Sequence, residues 1–177
     1  MKNKILALIS FLCCSCSTST PKKQLEVVQH VDLSRYVGTW YEIAKLPAWF
    51  EKDCFGVTAT YSVRDDGDIK VVNSCHKKAL DGAIKEAVGK AWVVDKKTNA
   101  KLLVRFFWPF AVDYWIIDLD DKNYQYAVVG DPGKNYFWVL SRTPQMNETL
   151  LNELLDRAKQ QGYDLEKLER TPQNAQL

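Results

Sequence analysis

The chain has 177 residues, of which 46% are hydrophobic and 26% are charged, and its formal net charge is +2. This length suits one domain with one hydrophobic core. Because bases and acids nearly balance, we expect no basic surface of the kind that binds nucleic acid, and nucleic acid is excluded as a partner.

The first fifteen residues have the composition of a secretory signal peptide. Lys2 and Lys4 precede an apolar run from Ile5 to Cys14, and this stretch contains no acidic residue. Since the run is shorter than a bilayer requires, it is not a permanent transmembrane helix. Loss of this leader with its two lysines leaves 22 basic and 22 acidic residues, so the mature chain is neutral.

A cysteine cluster at the end of the leader is typical of a lipoprotein, in which an acylated Cys becomes the new N-terminus. Cys16 is the preferred acylation site because Ser15 supplies the small residue before it, and Cys14 is the alternative. A serine after either cysteine favours a lipid-anchored protein in the outer membrane of a Gram-negative bacterium. Residues 1–15 are then the signal peptide, 16–31 a tether and 32–177 the folded domain. Plain secretion remains the alternative interpretation.

Strand-forming segments recur at nearly even spacing, with turn residues between them, as in an antiparallel barrel or sandwich. The joining segments contain turn-forming residues, as in Asp66-Gly67 and Asp131-Pro132-Gly133. We predict eight strands near residues 38–45, 56–63, 68–73, 87–94, 101–107, 113–119, 124–130 and 136–141.

A single amphipathic helix is predicted after these strands. Between residues 147 and 161 leucines and an alanine recur at helical spacing, Asn147 can cap the start, and Gly162 is a stop signal. One helix after eight strands has to pack its apolar stripe on the outside of the sheet. A short ninth strand and a tail are predicted over residues 166–177.

Three blocks of sequence, in the right order, resemble the lipocalin family. Gly38–Ala48 places a Gly-x-Trp at the start of a strand, Leu119-Asp120 is followed by Tyr124, and Ser141-Arg142-Thr143-Pro144 follows an aromatic strand. The resemblance covers about residues 32–162 and is strongest to bacterial outer-membrane lipocalins. It implies an all-β fold, an eight-stranded antiparallel up-and-down β-barrel with one C-terminal α-helix outside. It also implies a fatty acid, lysophospholipid or similar lipid in the barrel cavity.

Gly38, Trp40 and Arg142 are predicted to close one end of such a barrel. Gly38 lets the backbone enter the strand without a Cβ in the way, and Trp40 supplies a large apolar plug with a π face. Arg142 ends the last apolar strand and can lie flat on that indole, an interaction worth roughly 1 to 2 kcal/mol. The alternative is an ordinary core Trp and an unrelated surface Arg.

Strand alternation assigns side chains to the two faces of the sheet, with polar residues such as Thr58 and Thr60 outside. Inside it places Val57, Ala59, Tyr61, Val63, Ile69, Val71, Leu102, Val104, Phe106 and Trp108. The family resemblance adds Ala87, Gly89, Ala91, Tyr114, Ile116, Trp138 and Leu140. Glu42 is expected on the same face of the sheet as Trp40 and Ala44. Together with Tyr61, Asn73 and Tyr114, it would give the cavity a few polar groups. The residues predicted to contact the ligand are Glu42, Val57, Ala59, Tyr61, Val71, Ala87, Gly89, Ala91, Leu102, Val104, Phe106, Tyr114, Ile116, Trp138 and Leu140.

The size of the inner side chains decides whether the barrel is hollow. An eight-stranded barrel has room either for side chains or for one small ligand. Ala59, Ala87, Gly89 and Ala91 are too small to fill their share of the lumen, which predicts a mainly apolar cavity. The alternative is a collapsed core without a ligand.

Cys54 and Cys75 are the two cysteines that remain if Cys16 carries lipid. In an oxidising periplasm, an even pair on neighbouring strands is expected to form a disulfide. A tight turn at Asp66-Gly67 would place Cys54 opposite about residue 79, so a bulge or a longer loop is required. Two free buried thiols are the alternative.

The loops at the expected open end are near residues 46–54, 75–85, 107–113 and 131–135. Two are unusually apolar, because they contain Pro47-Ala48-Trp49-Phe50 and Phe107-Trp108-Pro109-Phe110. Adjacent exposed aromatics mark docking surfaces for lipid or protein, and Lys77, Lys78 and Lys85 would suit phosphate or carboxylate head groups. The alternative is that the aromatics fold inward as a lid.

No arrangement typical of an enzyme is found in the sequence. His30 and His76 have no Cys or carboxylate at metal-site spacing, and neither a phosphate loop nor a nucleophile elbow occurs. We therefore expect no catalysis, metal or cofactor. The predicted function is binding, storage or transport of lipid by a membrane-anchored barrel. The alternative is a ligand-free protein-interaction module that uses the aromatic mouth, and a homodimer is left open.

Overall fold

The computed structural model describes residues 24–174, in which nine antiparallel strands form one sheet. They are β1 (Gly38–Lys45), β2 (Cys54–Val63), β3 (Ile69–Lys77), β4 (Ile84–Val93), β5 (Lys101–Phe107), β6 (Phe110–Leu119), β7 (Tyr126–Gly130), β8 (Phe137–Ser141) and β9 (Glu169–Arg170). Strand β1 pairs with β2 on one side and with β8 on the other, which closes the eight long strands into a barrel. The predicted eight-stranded antiparallel barrel is confirmed, and β9 pairs with the end of β1.

Helix α2 (Glu148–Gln160) packs on the outside of the barrel, as predicted. The Asn147 side chain accepts hydrogen bonds from two backbone N–H groups of the first turn. Leu151, Leu154 and Ala158 are buried in an outer apolar cluster with side chains of β1, β7 and β8. Among residues 24–174, no helix is long and apolar enough to cross a membrane.

A β-bulge in β1 changes which side chains point inward. Glu42 and Ala44 pair with successive residues of β8, so Ile43 is an extra residue. Beyond the bulge, Ala44 lies in the outer cluster beneath α2, and Lys45 takes the inward position. The expectation that Ala44 shares the inner face of Trp40 is therefore wrong, because an inserted residue breaks strict alternation.

The chain before β1 covers one end of the barrel with the short helix α1 (Leu33–Tyr36). Val31 is fully buried in the inner core, and its backbone N–H donates to the carbonyl of Thr98 at 2.7 Å. Leu25 is also buried, against the outer cluster. Residues 25–31, expected to be part of a tether, thus pack on the barrel.

Two connections at the other end are clearly shorter than predicted. Trp108 and Pro109 alone join β5 to β6, where a loop over 107–113 was expected. Strands β3 and β4 are longer than predicted, and only residues 78–83 separate them. In the β3–β4 and β5–β6 hairpins, strand pairing therefore continues up to the rim of the barrel. A 3₁₀ turn (Trp49–Glu51) lies between β1 and β2.

Candidate functional site

Arg142 closes the barrel by contacting both the indole of Trp40 and the end of α1. Its guanidinium lies 3.7 Å from the ring centroid of Trp40, which is fully buried. The guanidinium also donates to the backbone carbonyls of Arg35 (2.7 Å), Val37 (2.9 Å) and Thr39 (3.0 Å). The predicted contact is present, and the same cation satisfies carbonyls that a one-turn helix leaves without internal partners.

Gly38 is required by this closure for two reasons. Its φ of +96° lies in the left-handed region, which favours glycine. A Cβ at this position would also lie 3.2 Å from Nη1 of Arg142. A larger residue would therefore strain the backbone and crowd the guanidinium.

Three tyrosine hydroxyl groups meet inside the barrel. The hydroxyl of Tyr114 lies 2.8 Å from those of Tyr36 and Tyr61. Burial raises the pKa of all three phenols, which are therefore neutral at physiological pH. Two internal hydrogen bonds use two of the three protons, so the cluster can still donate one hydrogen bond to a ligand. Tyr36 was missed because nothing in the sequence marked α1 as a wall of the cavity.

Most of the predicted lining residues share one inner apolar cluster. Its buried members include Tyr61, Val71, Ala91, Leu102, Val104, Ile116 and Leu140. Partly buried residues that pack against it include Ala59, Phe106, Tyr114 and Trp138. Val57 is also buried, and Ala87 and Gly89 are partly exposed.

Two residues expected inside are instead exposed. Val63 is 63% exposed at the end of β2, and Trp108 is 82% exposed in the β5–β6 turn. Both lie at strand ends, where the sheet no longer has an interior to face. Alternation predicts the inner face only for the part of a strand that lies within the barrel.

The small inner residues do not all leave free space. A Cβ at Gly89 would lie 2.8 Å from the ring of Phe106, so that ring already occupies the position. Ala91 is 1% exposed and is packed within the inner cluster. The sequence argument for free space is therefore wrong at Gly89, where the ring of Phe106 occupies the position, and Ala91 is buried among the other core side chains.

Ala59 and Ala87 are the other two small residues predicted on the inner face. They flank Asn73 in the register of β2, β3 and β4. The Oδ1 atom of Asn73 is buried and has no hydrogen-bond partner in the protein. An unpaired amide oxygen beside two small residues is an acceptor that a ligand can use.

Two acids lie near each other towards the open end: Glu42 on β1 and the half-buried Glu51 in the β1–β2 connection. Glu42 is 3% exposed and accepts a hydrogen bond from the hydroxyl of Thr171. Burial, together with the nearby charge of Glu51, raises the pKa of Glu42 to about 8. Burial also raises the pKa of Glu51, whose carboxylate accepts a hydrogen bond from the indole N–H of Trp138 at 3.3 Å. At neutral pH Glu42 is therefore largely protonated and can donate a hydrogen bond.

Lys45 stands beside these acids and was missed by the sequence analysis. It is buried opposite Trp138, and its Nζ lies 2.9 Å from Oε2 of Glu169 on β9. Strict alternation places Lys45 outside, so only the bulge at Ile43 brings it in. A bulge has no dependable signature in one sequence, and Glu51 was missed because it lies in a loop.

The sequence comparisons agree with this architecture. A family model described as a lipocalin-like domain matches residues 31–173. The chain belongs to the lipocalin family. Outer membrane lipoprotein Blc of Escherichia coli (strain K12) is 41% identical to this lipocalin over 161 residues, 91% of this chain and 90% of that protein. Temperature-induced lipocalin-1 of Arabidopsis thaliana is 40% identical over 164 residues, 88% and 86% of the two chains.

Solved structures support the same fold. Insecticyanin from the tobacco hornworm Manduca sexta superposes on this lipocalin with a TM-score of 0.67. The alignment covers 85% of each chain at 22% identity. At this identity the likeness shows the fold alone.

The predicted disulfide of this lipocalin is confirmed. Cys54 and Cys75 are bonded, with their Cα atoms 5.4 Å apart. Cys54 pairs across the ladder with Lys77, not with Cys75, and a register shift separates this pair from Thr58. Gly56, with φ of +57°, lies in that shift. The irregularity that the disulfide required is therefore present.

The aromatics of the rim point outward. Trp49 is 82% exposed, and Phe107 and Phe110 are each 76% exposed. Phe50 is less exposed, at 37%, and its ring lies 5.9 Å from that of Tyr136. The alternative of a closed aromatic lid is therefore wrong for the exposed residues, and they form an apolar surface around the mouth.

Proposed function

We propose that this lipocalin binds a fatty acid, a lysophospholipid or a similar single-chain lipid inside its barrel. The supporting observation is the apolar inner wall, which Trp40 and Arg142 seal at one end. Each buried CH₂ contributes about 0.8 kcal/mol, so a long acyl chain would gain roughly 10 kcal/mol before ordering costs. That gain is sufficient for micromolar or tighter binding.

The polar groups of the interior supply contacts for a lipid head group. Glu42, protonated at neutral pH, would donate to a carboxylate or phosphate oxygen, and Lys45 would add a positive charge. The Oδ1 atom of Asn73 would accept from a hydroxyl, such as that of a glycerol backbone. These contacts fit an amphiphile better than a purely apolar molecule, and we propose no catalytic role.

The proposed location is the outer membrane, with Cys16 as the acylated residue. One relative is named as an outer membrane lipoprotein and is 41% identical over 91% of this chain. The proposed signal peptide (1–15), Cys16 and the alternative site Cys14 lie outside the described residues.

Filling the cavity tests the proposal. Ala59→Phe and Ala87→Phe each add a ring to the predicted cavity wall on either side of Asn73. We expect the affinity for a fluorescent fatty acid to fall at least about tenfold, equivalent to about 1.4 kcal/mol. Val88→Phe is the matched control, because Val88 neighbours Ala87 on β4 and is exposed on the outer face.

The titration is read together with urea unfolding, so that a misfolded variant is recognised. Native mass spectrometry after delipidation and reloading should recover acyl-chain mass in the wild type and in Val88→Phe. If folded Ala59→Phe and Ala87→Phe bind fatty acid as tightly as the wild type, the ligand does not enter the barrel. The ligand-free interaction module then becomes the better interpretation.

A further inference from the structure

Exposed apolar side chains stand on opposite sides of the barrel mouth. Trp49 lies in the β1–β2 connection, and Trp108 and Phe110 lie at the β5–β6 hairpin. In the closed order of eight strands these two connections are four strands apart, which is half the circumference. Ile84, 66% exposed, adds a third apolar group at the start of β4 between them. Apolar groups spaced around a ring suit a broad flat surface more than a narrow groove.

The charge of the rim is nearly balanced. The connections 46–53, 78–83, 108–109 and 131–136 contain Lys52, Lys78 and Lys134 against Glu51, Asp53, Asp81 and Asp131, and the adjoining ends of β3 and β4 add Lys77, Lys85 and Glu86. Such a rim has no strong attraction for anionic lipid, so its affinity for a surface would come from the aromatics. Trp and its neighbours prefer the interfacial layer of a bilayer, where an amphipathic ring is partly solvated.

Residues 26–31 run along the barrel from the closed end towards the mouth. The backbone N–H of Val31 donates a hydrogen bond to the carbonyl of Thr98 at the closed end. The backbone N–H of Val28 donates to the carbonyl of Ile116 on β6 at 3.1 Å. The N–H of Glu26 donates to Gln161 at 3.0 Å. Gln161 is followed by Gly162, where a Cβ would lie 2.8 Å from Nζ of Lys134 in the β7–β8 rim connection. Followed backwards, the chain therefore runs from the closed end to the open end.

Tether length then limits how the barrel can stand on a membrane. If Cys16 is acylated, eight residues (17–24) separate it from the barrel and span at most about 28 Å. Because the described chain begins beside Gln161 in the open half, the shortest path from there to the bilayer places the mouth, not the seal, towards the lipid.

From these observations we infer that the open end docks on the bilayer surface, with Trp49, Trp108 and Phe110 in the interfacial layer. The lumen then opens onto the lipid from which its ligand comes. This inference extends the proposed lipid-binding function and rests on it for the acylated Cys16.

Tryptophan quenching in the acylated protein tests the orientation. We expect brominated phosphatidylcholine in phosphatidylethanolamine vesicles to quench the wild-type fluorescence. Trp49→Phe with Trp108→Phe should remove most of that quenching, because these are the two strongly exposed tryptophans of the rim, whereas Trp138 is half-buried inside the mouth. The matched control is Trp92→Phe with Trp115→Phe, which removes two tryptophans from the barrel wall and should leave the quenching in place.

A second pair of variants tests the consequence for lipid exchange. Trp108→Ser with Phe110→Ser should slow transfer of a fluorescent fatty acid from vesicles at least about tenfold, with unchanged affinity in solution. Val63→Ser with Val94→Ser, at exposed apolar positions of the closed end, should leave transfer unchanged.

Three results would overturn the inference. Quenching that survives the loss of Trp49 and Trp108, or equal slowing by the closed-end variants, would show a different orientation. Conversion of a dimer to a monomer by the rim variants would identify the rim as a surface for a second copy. Failure of the proposed lipid-binding function can be distinguished from failure of this inference. It would appear as absent fatty-acid binding in solution, whereas tryptophan quenching would still report whether the mouth docks on the bilayer.

Discussion

Arg142 makes contacts of two kinds, and both matter for the sealed end. Its planar face covers the indole of Trp40, and its N–H groups donate to four backbone carbonyls in and around α1. A lysine has no planar fork and cannot make both sets of contacts. The seal is therefore a coupled unit in which each residue keeps the other in place.

The first prediction concerns that coupling. Trp40→Ala removes a fully buried indole and should cost about 3 to 5 kcal/mol in the free energy of unfolding. Arg142→Ala should cost less, and the double variant should lose less than the sum, because each change already breaks the shared contact. Urea unfolding measures all three. Arg142→Ala combined with Trp115→Ala is the control and should be additive, so additivity in the Trp40 pair as well would show that the two side chains are uncoupled.

The second prediction concerns the pH dependence created by Glu42. Its pKa is raised from 4.5 to about 8, so between these values the folded state binds more protons than the unfolded state. Stability from this group is full below about pH 4.5 and is lost as the pH rises towards 8. The raised pKa of Glu51 acts in the same direction. Urea unfolding from pH 5 to 8 should therefore show a falling free energy of unfolding.

Glu42→Gln should flatten that profile, because an amide keeps the shape of the protonated acid and does not titrate. The control is Glu166→Gln, since Glu166 is exposed and its replacement should leave the profile unchanged. A wild-type profile that is already flat, or one that Glu42→Gln does not alter, would mean that Glu42 is ionised in the folded protein.

At the scale of elements, the β2–β3 hairpin depends on the disulfide at its rim end. The bond closes a separation of 21 residues, so replacing both cysteines by serine should cost roughly 3 kcal/mol. Urea unfolding with and without reductant measures the effect. The wild type should become less stable under reducing conditions, whereas the double variant should not change. Equal midpoints for the oxidised and reduced wild type would contradict this prediction.

Element order could be predicted from sequence because each strand and the helix carry their own period and turn residues. The positions of side chains that depend on irregularities, such as a bulge, could not be predicted from sequence. The bulge at Ile43 moves Ala44 out and Lys45 in, and Phe106 fills the space beside Gly89. Tyr36 joins the cavity only through the way α1 folds across the barrel end. In each case the decisive contact comes from residues distant in sequence, which a local period does not encode.

At the scale of the whole molecule, the barrel has two chemically different ends. The closed end is sealed by Trp40 and Arg142 and covered by residues 31–36, while the open end carries exposed aromatics. A lipid carrier of this shape can exchange cargo only through the open end. The position of the proposed lipid anchor would therefore have consequences for function as well as for location.

The last prediction concerns that anchor. Because Ser15 precedes Cys16, Cys16→Ser should abolish labelling by a fatty-acid probe and release the protein into the soluble periplasmic fraction. The matched control is Cys14→Ser, which should retain both the label and the membrane fraction. Loss of labelling in Cys14→Ser alone would move the acylation site to Cys14. If neither substitution changes labelling or fractionation, the protein is not anchored by lipid at this cluster. Binding of the barrel mouth to the bilayer would then depend on the exposed aromatics of the rim alone.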